Sequence, residues 1–218
     1  MGYYLPTKTR KSRFVEMFGD VDLDIRGFNI VKIEDVCSDN FWIMPATPEY
    51  VEDGEVRYIT SKNIKGGVLD FTDCKRISRE AYGTISRKRP IQLGDFLISM
   101  IGTLGEVAVV TAVDGEFYGQ NMFLLRPDVR KVDSVYLMSY LMHSTHVRRA
   151  IERSKNSSTQ AYLKREHIIE MKIPLPPLAL QSEFAAFVEK VDKSKFAVRK
   201  SLEELQKLYR QQLQEAFG

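Results

Sequence analysis

Residues 178–218 read LALQSEFAAFVEKVDKSKFAVRKSLEELQKLYRQQLQEAFG, with no Gly or Pro between 179 and 217. Phe184, Val191, Val198, Leu205 and Gln212 recur at intervals of seven, interleaved with Val188, Lys195, Leu202, Tyr209 and Ala216. Mostly apolar residues at both seam positions predict one helix of about forty residues. Its apolar stripe is narrow, and mixed charges such as Glu203, Glu204, Lys207 and Arg210 suit the remaining faces to water. A lone helix of that length leaves the stripe wet, so a second helix must cover it. The partner is either a helix of another subunit or a second copy of this one. The candidate dimer contacts are Phe184, Val188, Val191, Val198, Leu202, Leu205 and Tyr209.

Moving back from the helix, Pro174-Leu-Pro-Pro177 forms a hinge, preceded by the short segment KREHIIEMKIP and the polar loop SKNSSTQ at 154–160. From 133 to about 153 the spacing of Val135, Leu137, Met138, Leu141 and Met142 predicts a helix capped by Asp133 or Ser134. Residues 28–126 read mainly as strands: FNIVKI, VRYI, DFLISMI, EVAVVTAV and NMFLLRP alternate with the turn sequences EDGE, KGG, GTLG and DGE. At the other end of the chain RKSRFVEMFGD, residues 10–20, nearly copies YRQQLQEAFG, residues 209–218. Phe14, Glu16, Phe18 and Gly19 fall in step with Leu213, Glu215, Phe217 and Gly218, so the match holds in type as well as letter.

Composition narrows the class. A 44% apolar share over 218 residues is that of a globular protein with one good-sized domain and an appendage, or two small ones. Cys37 and Cys74, in neither a metal-ligand nor a redox spacing, argue for a reducing compartment. No apolar run is long enough to cross a bilayer and no secretory h-region follows the first basic residues, so a soluble cytoplasmic protein is expected. The net charge of +3 does not announce nucleic acid, but its distribution is uneven. KRISREAYGTISRKR, residues 75–89, carries six basic side chains against one acid, and 148–165 is similarly lopsided. Positive charge is gathered where a polyanion can use it.

Gly94-Asp95-Phe-Leu-Ile-Ser-Met-Ile-Gly102-Thr-Leu-Gly105-Glu-Val-Ala-Val-Val resembles the strand-turn-strand of target recognition domains in type I restriction-modification specificity subunits. So do Arg57-Tyr-Ile-Thr-Ser-Lys-Asn-Ile-Lys-Gly-Gly, Ser157-Ser-Thr-Gln160, and Ile173-Pro-Leu-Pro-Pro-Leu-Ala-Leu-Gln181 leading into the long helix. In this order they cover essentially the whole chain. The resemblance implies an α/β fold: a target recognition domain with a curved mixed sheet, plus one long C-terminal coiled-coil spacer helix. Residues 1–20 then resemble the end of a preceding spacer helix, 21–177 the DNA target recognition domain, and 178–218 the spacer helix for dimerisation and partner docking. A full-length member has two such domains and two such helices, so the chain corresponds to a half-subunit.

The same resemblance divides the chemistry among polypeptides. This chain is expected to bind double-stranded DNA without catalysing anything and to hold no cofactor. Modification subunits would bring S-adenosylmethionine and methylate adenine; restriction subunits would bring ATP, Mg and cleavage. The residues agree, since there is no Asp/Asn-Pro-Pro-aromatic tetrad and no P-loop. Pairing through antiparallel helices, as a homodimer or with another specificity half, would give a bipartite site with inverted halves. Two rival readings are a coiled-coil interaction module whose globular part binds protein, and a PD-ExK-like nuclease using Asp128, Glu170 and Lys172. His143 and His146, three apart, lack an evident third metal ligand, and no metal site is expected. The turn Gly102-Thr-Leu-Gly105 reads as a tight turn and not as a nucleic-acid clamp.

Reading bases requires Arg, Lys, Asn or Gln at base edges and further cations on phosphates. The candidates are Lys62, Asn63 and Lys65 in one loop, Arg76, Arg79, Arg87, Lys88 and Arg89 in the first basic cluster, and Ser158, Gln160, Tyr162, Lys164 and Arg165 in the second.

Overall fold

The computed structural model describes residues 8–19, 26–111, 115–156 and 162–217. Helix α1 (Lys8–Phe18) leads to strands β1 (Asn29–Lys32), β2 (Cys37–Ile43), β3 (Val56–Ile59), β4 (Ile64–Lys65), β5 (Val68–Leu69) and β6 (Lys75–Ile77). Helix α2 (Arg79–Ser86) precedes β7 (Phe96–Ser99), β8 (Val107–Val109), β9 (Phe117–Gly119) and β10 (Met122–Pro127). Then come α3 (Ser134–His143), α4 (Thr145–Asn156), α5 (Arg165–Ile169), β11 (Lys172–Leu175) and the long α6 (Leu178–Phe217). The fold is mixed α/β.

Four strands in the order β2-β10-β7-β8 form an antiparallel sheet at the centre. Beside it lies a three-stranded sheet β6-β3-β9, in which β3 and β9 run parallel. Two-stranded ladders β1-β11 and β4-β5 complete the set. Side chains on a strand alternate between faces, and here both faces are covered. Phe123, Leu125, Phe96 and Ile98 enter one core with Tyr136 and Phe184, whereas Met122, Leu124 and Leu97 enter the other with Ile59 and Phe117. Burial on both sides is why DFLISMI and NMFLLRP are continuous apolar runs and not alternating ones. The β7-β8 turn needs Gly at both ends: Gly102 and Gly105 have φ of +79° and +76°, and a Cβ on Gly105 would lie 2.3 Å from Ile151 Cδ1.

Two features depart from the sequence reading. The stretch 28–126 is not all strand and turn, because Ser78 caps α2 by accepting a hydrogen bond from the Ala81 amide. The helix expected over 133–153 is two helices, since Ser144 adopts an extended backbone with ψ of 131°. Asp133, not Ser134, is the cap; its carboxylate accepts from the Val135 and Tyr136 amides at 2.7 and 3.2 Å.

The start of α6 belongs to the chain's own core. Phe184 is fully buried and Val188 is 3% exposed. The heptad spacing puts both on an intersubunit seam; the structure instead packs them against α1 and α3. Phe184 lies 5.6 Å from the Phe14 ring and 5.4 Å from the Phe18 ring, centre to centre. Arg10 pairs with Asp192 and Phe18 with Phe184, so α1 and α6 run antiparallel. Beyond Asp192 the stripe is bare: Val198, Leu202, Leu205 and Tyr209 are 68%, 54%, 63% and 62% exposed.

Candidate nucleic-acid interface

Arg89, Tyr162, Lys164 and Arg165, separated by more than seventy positions of sequence, line one open cleft of about 550 Å³ together with Asn40, Phe41, Trp42 and Glu166. Three elements build it. Strand β2 supplies Asn40, Phe41 and Trp42, the loop after α2 supplies Arg89, and the segment entering α5 supplies the rest.

Each element is held from behind. The Arg89 carbonyl accepts from the Tyr118 hydroxyl at 3.0 Å, and burial pushes that phenol's pKa up, so the proton it donates is retained. Arg126 grips the buried Asp95 through Nε and Nη2 at 2.7 and 2.8 Å and donates to the Pro90 carbonyl at 3.0 Å. Asp95 in turn accepts from the Gln92 amide at 2.7 Å. This clamp fixes the 89–95 loop and aims the Arg89 guanidinium at the Phe41 ring, 4.9 Å from its centre. On the opposite wall, Leu163 is fully buried and its amide donates to Met100, which sets Tyr162 and Lys164 on either side of it at the rim. Arg165 Nε donates to Asn40 Oδ1 at 3.1 Å, tying the two walls together.

Among the described residues the rim carries three cations, Arg89, Lys164 and Arg165, against the one carboxylate of Glu166. Trp42 Nε1 is buried without a hydrogen-bond partner among the described residues, a donor in the cleft wall. Cationic forks beside aromatic faces can pair with phosphates and stack on or hydrogen-bond to bases. A second hollow of about 290 Å³ shares Glu166 and continues along α4 and α5, lined by His146, Arg149, Arg153, His167 and Glu170.

The other candidates are distributed differently. Asn63, which the sequence puts among the DNA-binding candidates, is instead 7% exposed, accepting from the Thr60 amide at 2.9 Å and donating to the Asp70 carbonyl at 2.8 Å, so its amide is spent on its own loop. Lys65 pairs with Asp70 at 3.7 Å, Arg79 with Glu116 at 2.5 Å, and Arg76 donates to the Gly54 carbonyl at 2.9 Å. Lys62, Lys65, Arg76 and Arg79 do not line the cleft, and Arg87 and Lys88 are exposed outside its lining. Ser158 and Gln160 lie outside the described residues. Asn40, Phe41 and Trp42 were missed from the sequence. The one signal for them was the chain's single Trp beside a polar Asp-Asn step in a strand.

The catalytic rivals find little support. Asp128 is held by Arg130 through two bonds of 2.9 Å, which brings its carboxyl down to about 2. Among the described residues no group of three or more His, Cys, Asp or Glu is placed to hold a metal. His143 and His146 sit on different helices, and burial, with Lys11, Arg10 and Arg148 nearby, lowers His143 to about 4.

The fold thus combines a mixed α/β domain bearing a cationic, aromatic-walled cleft with a long helix whose later apolar stripe is exposed. The sequence matches the family described as type I restriction modification DNA specificity domain over residues 25–207, and the chain belongs to that family. It is 26% identical over 160 residues to a putative type I restriction enzyme MjaX specificity subunit of Methanocaldococcus jannaschii, covering 72% of this chain and 37% of that protein. The HsdS subunit from Thermoanaerobacter tengcongensis shares the fold with a TM-score of 0.60 at 20% identity, over 88% of this chain and 44% of that one. A type I restriction-modification S subunit from M. genitalium does so with a TM-score of 0.56 at 14% identity, over 92% and 51%. A chain from a study of type I restriction-modification complex assembly gives 0.63 at 19%, over 93% and 48%. The chain therefore spans about half the length of these solved relatives. Among the described residues no helix is long and apolar enough to cross a membrane.

Proposed function

We propose that this chain is a DNA-specificity module of a type I restriction-modification assembly, and that the 550 Å³ cleft is where it reads duplex DNA. One observation carries the reading: the end of the first basic cluster and the second cluster, far apart in sequence, converge with Trp42 and Asn40 on a single cleft. Arg165, steadied by Asn40 through Nε, keeps its two terminal nitrogens for a base edge or phosphate. Family membership supports the division of labour, in which partner subunits carry adenine methylation and DNA restriction in the cytoplasm. Residues 21–177 act as the target recognition domain, and the bare stripe of α6 pairs two such modules, as a homodimer or with another specificity half.

The test is to co-express the chain with a modification subunit and map which adenines become methylated. A bipartite site with inverted halves is expected. Replacing Arg89, Lys164 and Arg165 with Ala should abolish the pattern and flatten the salt dependence of duplex binding. Unchanged methylation would remove the cleft from the reading, and binding to protein alone would favour an interaction module.

A further inference from the structure

Helix α1 covers the first turns of α6, and the sequence of α1 recurs at the far end of α6. Aligned, Arg10, Phe14 and Phe18 correspond to Tyr209, Leu213 and Phe217. Those three α1 residues are the buried face of the helix. Phe14 stands 5.5 Å and Phe18 4.8 Å from the Tyr136 ring, both close on Phe184, while Arg10 pairs with Asp192. Of the matching positions on α6, Tyr209 lies on the apolar stripe and Leu213 beside the seam position Gln212; they are 62% and 39% exposed.

We infer that α1 occupies a socket, made by Tyr136, Phe184, Phe187, Val188 and Asp192, that also seats the end of α6 from a second copy. The inference rests on the α6 pairing proposed above and adds its register. Because α1 runs antiparallel to α6, an antiparallel second α6 would enter the socket in the same direction. Substituting the repeat into the observed Arg10–Asp192 contact sets the partner's Tyr209 opposite Asp192. A Tyr hydroxyl can donate to the Asp192 carboxylate as Arg10 does. The two-fold axis then passes near residue 200, and Val198 of each copy meets Leu202 of the other. The heptad pattern independently allows this alignment to within one position, because an antiparallel seam about the same axis faces Val191 and Val198 with Tyr209 and Leu202. Two unrelated observations, the Arg10–Asp192 contact and the heptad spacing, both bring Tyr209 of one copy to residues 191–192 of the other. The contact is isologous, so each copy offers one socket and one helix end. Pairing in full overlap requires α1 to leave, and α1 is thus an internal competitor that holds the chain in a less overlapped or unpaired state.

Ser201 is exposed and flanks the seam beside the inferred axis, so Ser201→Cys should be linked to its copy by a short bismaleimide only in this register. Leu208→Cys instead reports a register shifted by two heptads, which leaves α1 in place. The unsubstituted chain, with Cys37 and Cys74, gives the background. The yield from Ser201→Cys should rise several-fold when Phe14→Asp and Phe18→Asp are added. Arg10→Glu, which sets two carboxylates together at Asp192 and spares the aromatic cluster, should act in the same direction should the aromatic variant fail to fold. Adding Leu213→Asp, on an exposed position, should return the yield to background. A dimer in sedimentation that links through Leu208→Cys, or whose Ser201→Cys yield ignores α1, overturns the inference while leaving pairing intact. Monomers throughout overturn the pairing as well.

Discussion

The first turns of α6 and its later heptads obey one sequence rule and meet two environments. Phe184 and Val188 sit at the same heptad positions as Val198 and Leu202, yet the first pair is sealed under α1 and α3 and the second pair stands in solvent. A heptad therefore states that a stripe will be covered without saying by what. The covering segment can be another part of the same chain, and here it is a helix whose sequence repeats the end of α6 itself. The largest expected effect follows from the sealed half. Phe184→Ala should cost the folded chain about 3–5 kcal/mol, because it opens a cavity among Phe14, Phe18 and Tyr136. Urea titration of Phe184→Ala beside Leu205→Ala checks this, and a Leu205→Ala variant as damaging as Phe184→Ala would erase the distinction.

A pH titration probes the same corner. His143, at the end of α3, is 6% exposed, and burial together with Lys11, Arg10 and Arg148 lowers it from 6.5 to about 4. Between those values the unfolded chain takes up a proton that the folded chain refuses, so stability is full above about pH 6.5 and declines as pH falls toward 4. The loss is at most about 3 kcal/mol. Protonation also adds a charge beside the cations of α1, so the α1 corner should loosen first, visible as earlier amide exchange there. His143→Leu should flatten the decline; a decline of unchanged size would assign it to other groups.

The basic clusters divide in the same way as α6. Residues 75–89 look uniform in sequence, but only Arg89 of that run enters the cleft. Its place depends on Tyr118, Asp95 and Arg126, partners that lie beyond the cluster in the chain and leave no local trace in it. Arg89→Ala or Arg165→Ala should weaken duplex binding by about 1–3 kcal/mol each, whereas Arg76→Ala should not. Fluorescence anisotropy across a salt series measures all three.

What was legible in the sequence was what periodicity and local chemistry encode. The long helix, the strand runs, the Gly102–Gly105 turn and a helix cap at Asp133 or Ser134 are set within a few residues of themselves. The cleft was legible only in part, since Arg89, Tyr162, Lys164 and Arg165 stood out by composition whereas Asn40, Phe41 and Trp42 did not. A strand residue becomes a cleft wall through which loop arrives above it, and that is decided by long-range packing. Asn63 misled for the opposite reason: its polar side chain satisfies the backbone of a tight loop, a use that composition cannot tell from recognition.

The smallest expected effect on folding belongs to the exposed half of α6. Val198 and Leu202 contribute almost no burial to the isolated chain, so Val198→Asp with Leu202→Asp should leave its unfolding free energy within about 0.5 kcal/mol of the parent, as surface substitutions usually do. The same change places carboxylates in the seam between two helices, where they would be desolvated without partners. It should convert dimers to monomers in sedimentation at unchanged helix content. The two readouts must separate: a variant that loses both stability and pairing would mean that the later heptads were packed within the chain after all, and a variant that keeps both would mean that the stripe is covered along some other face.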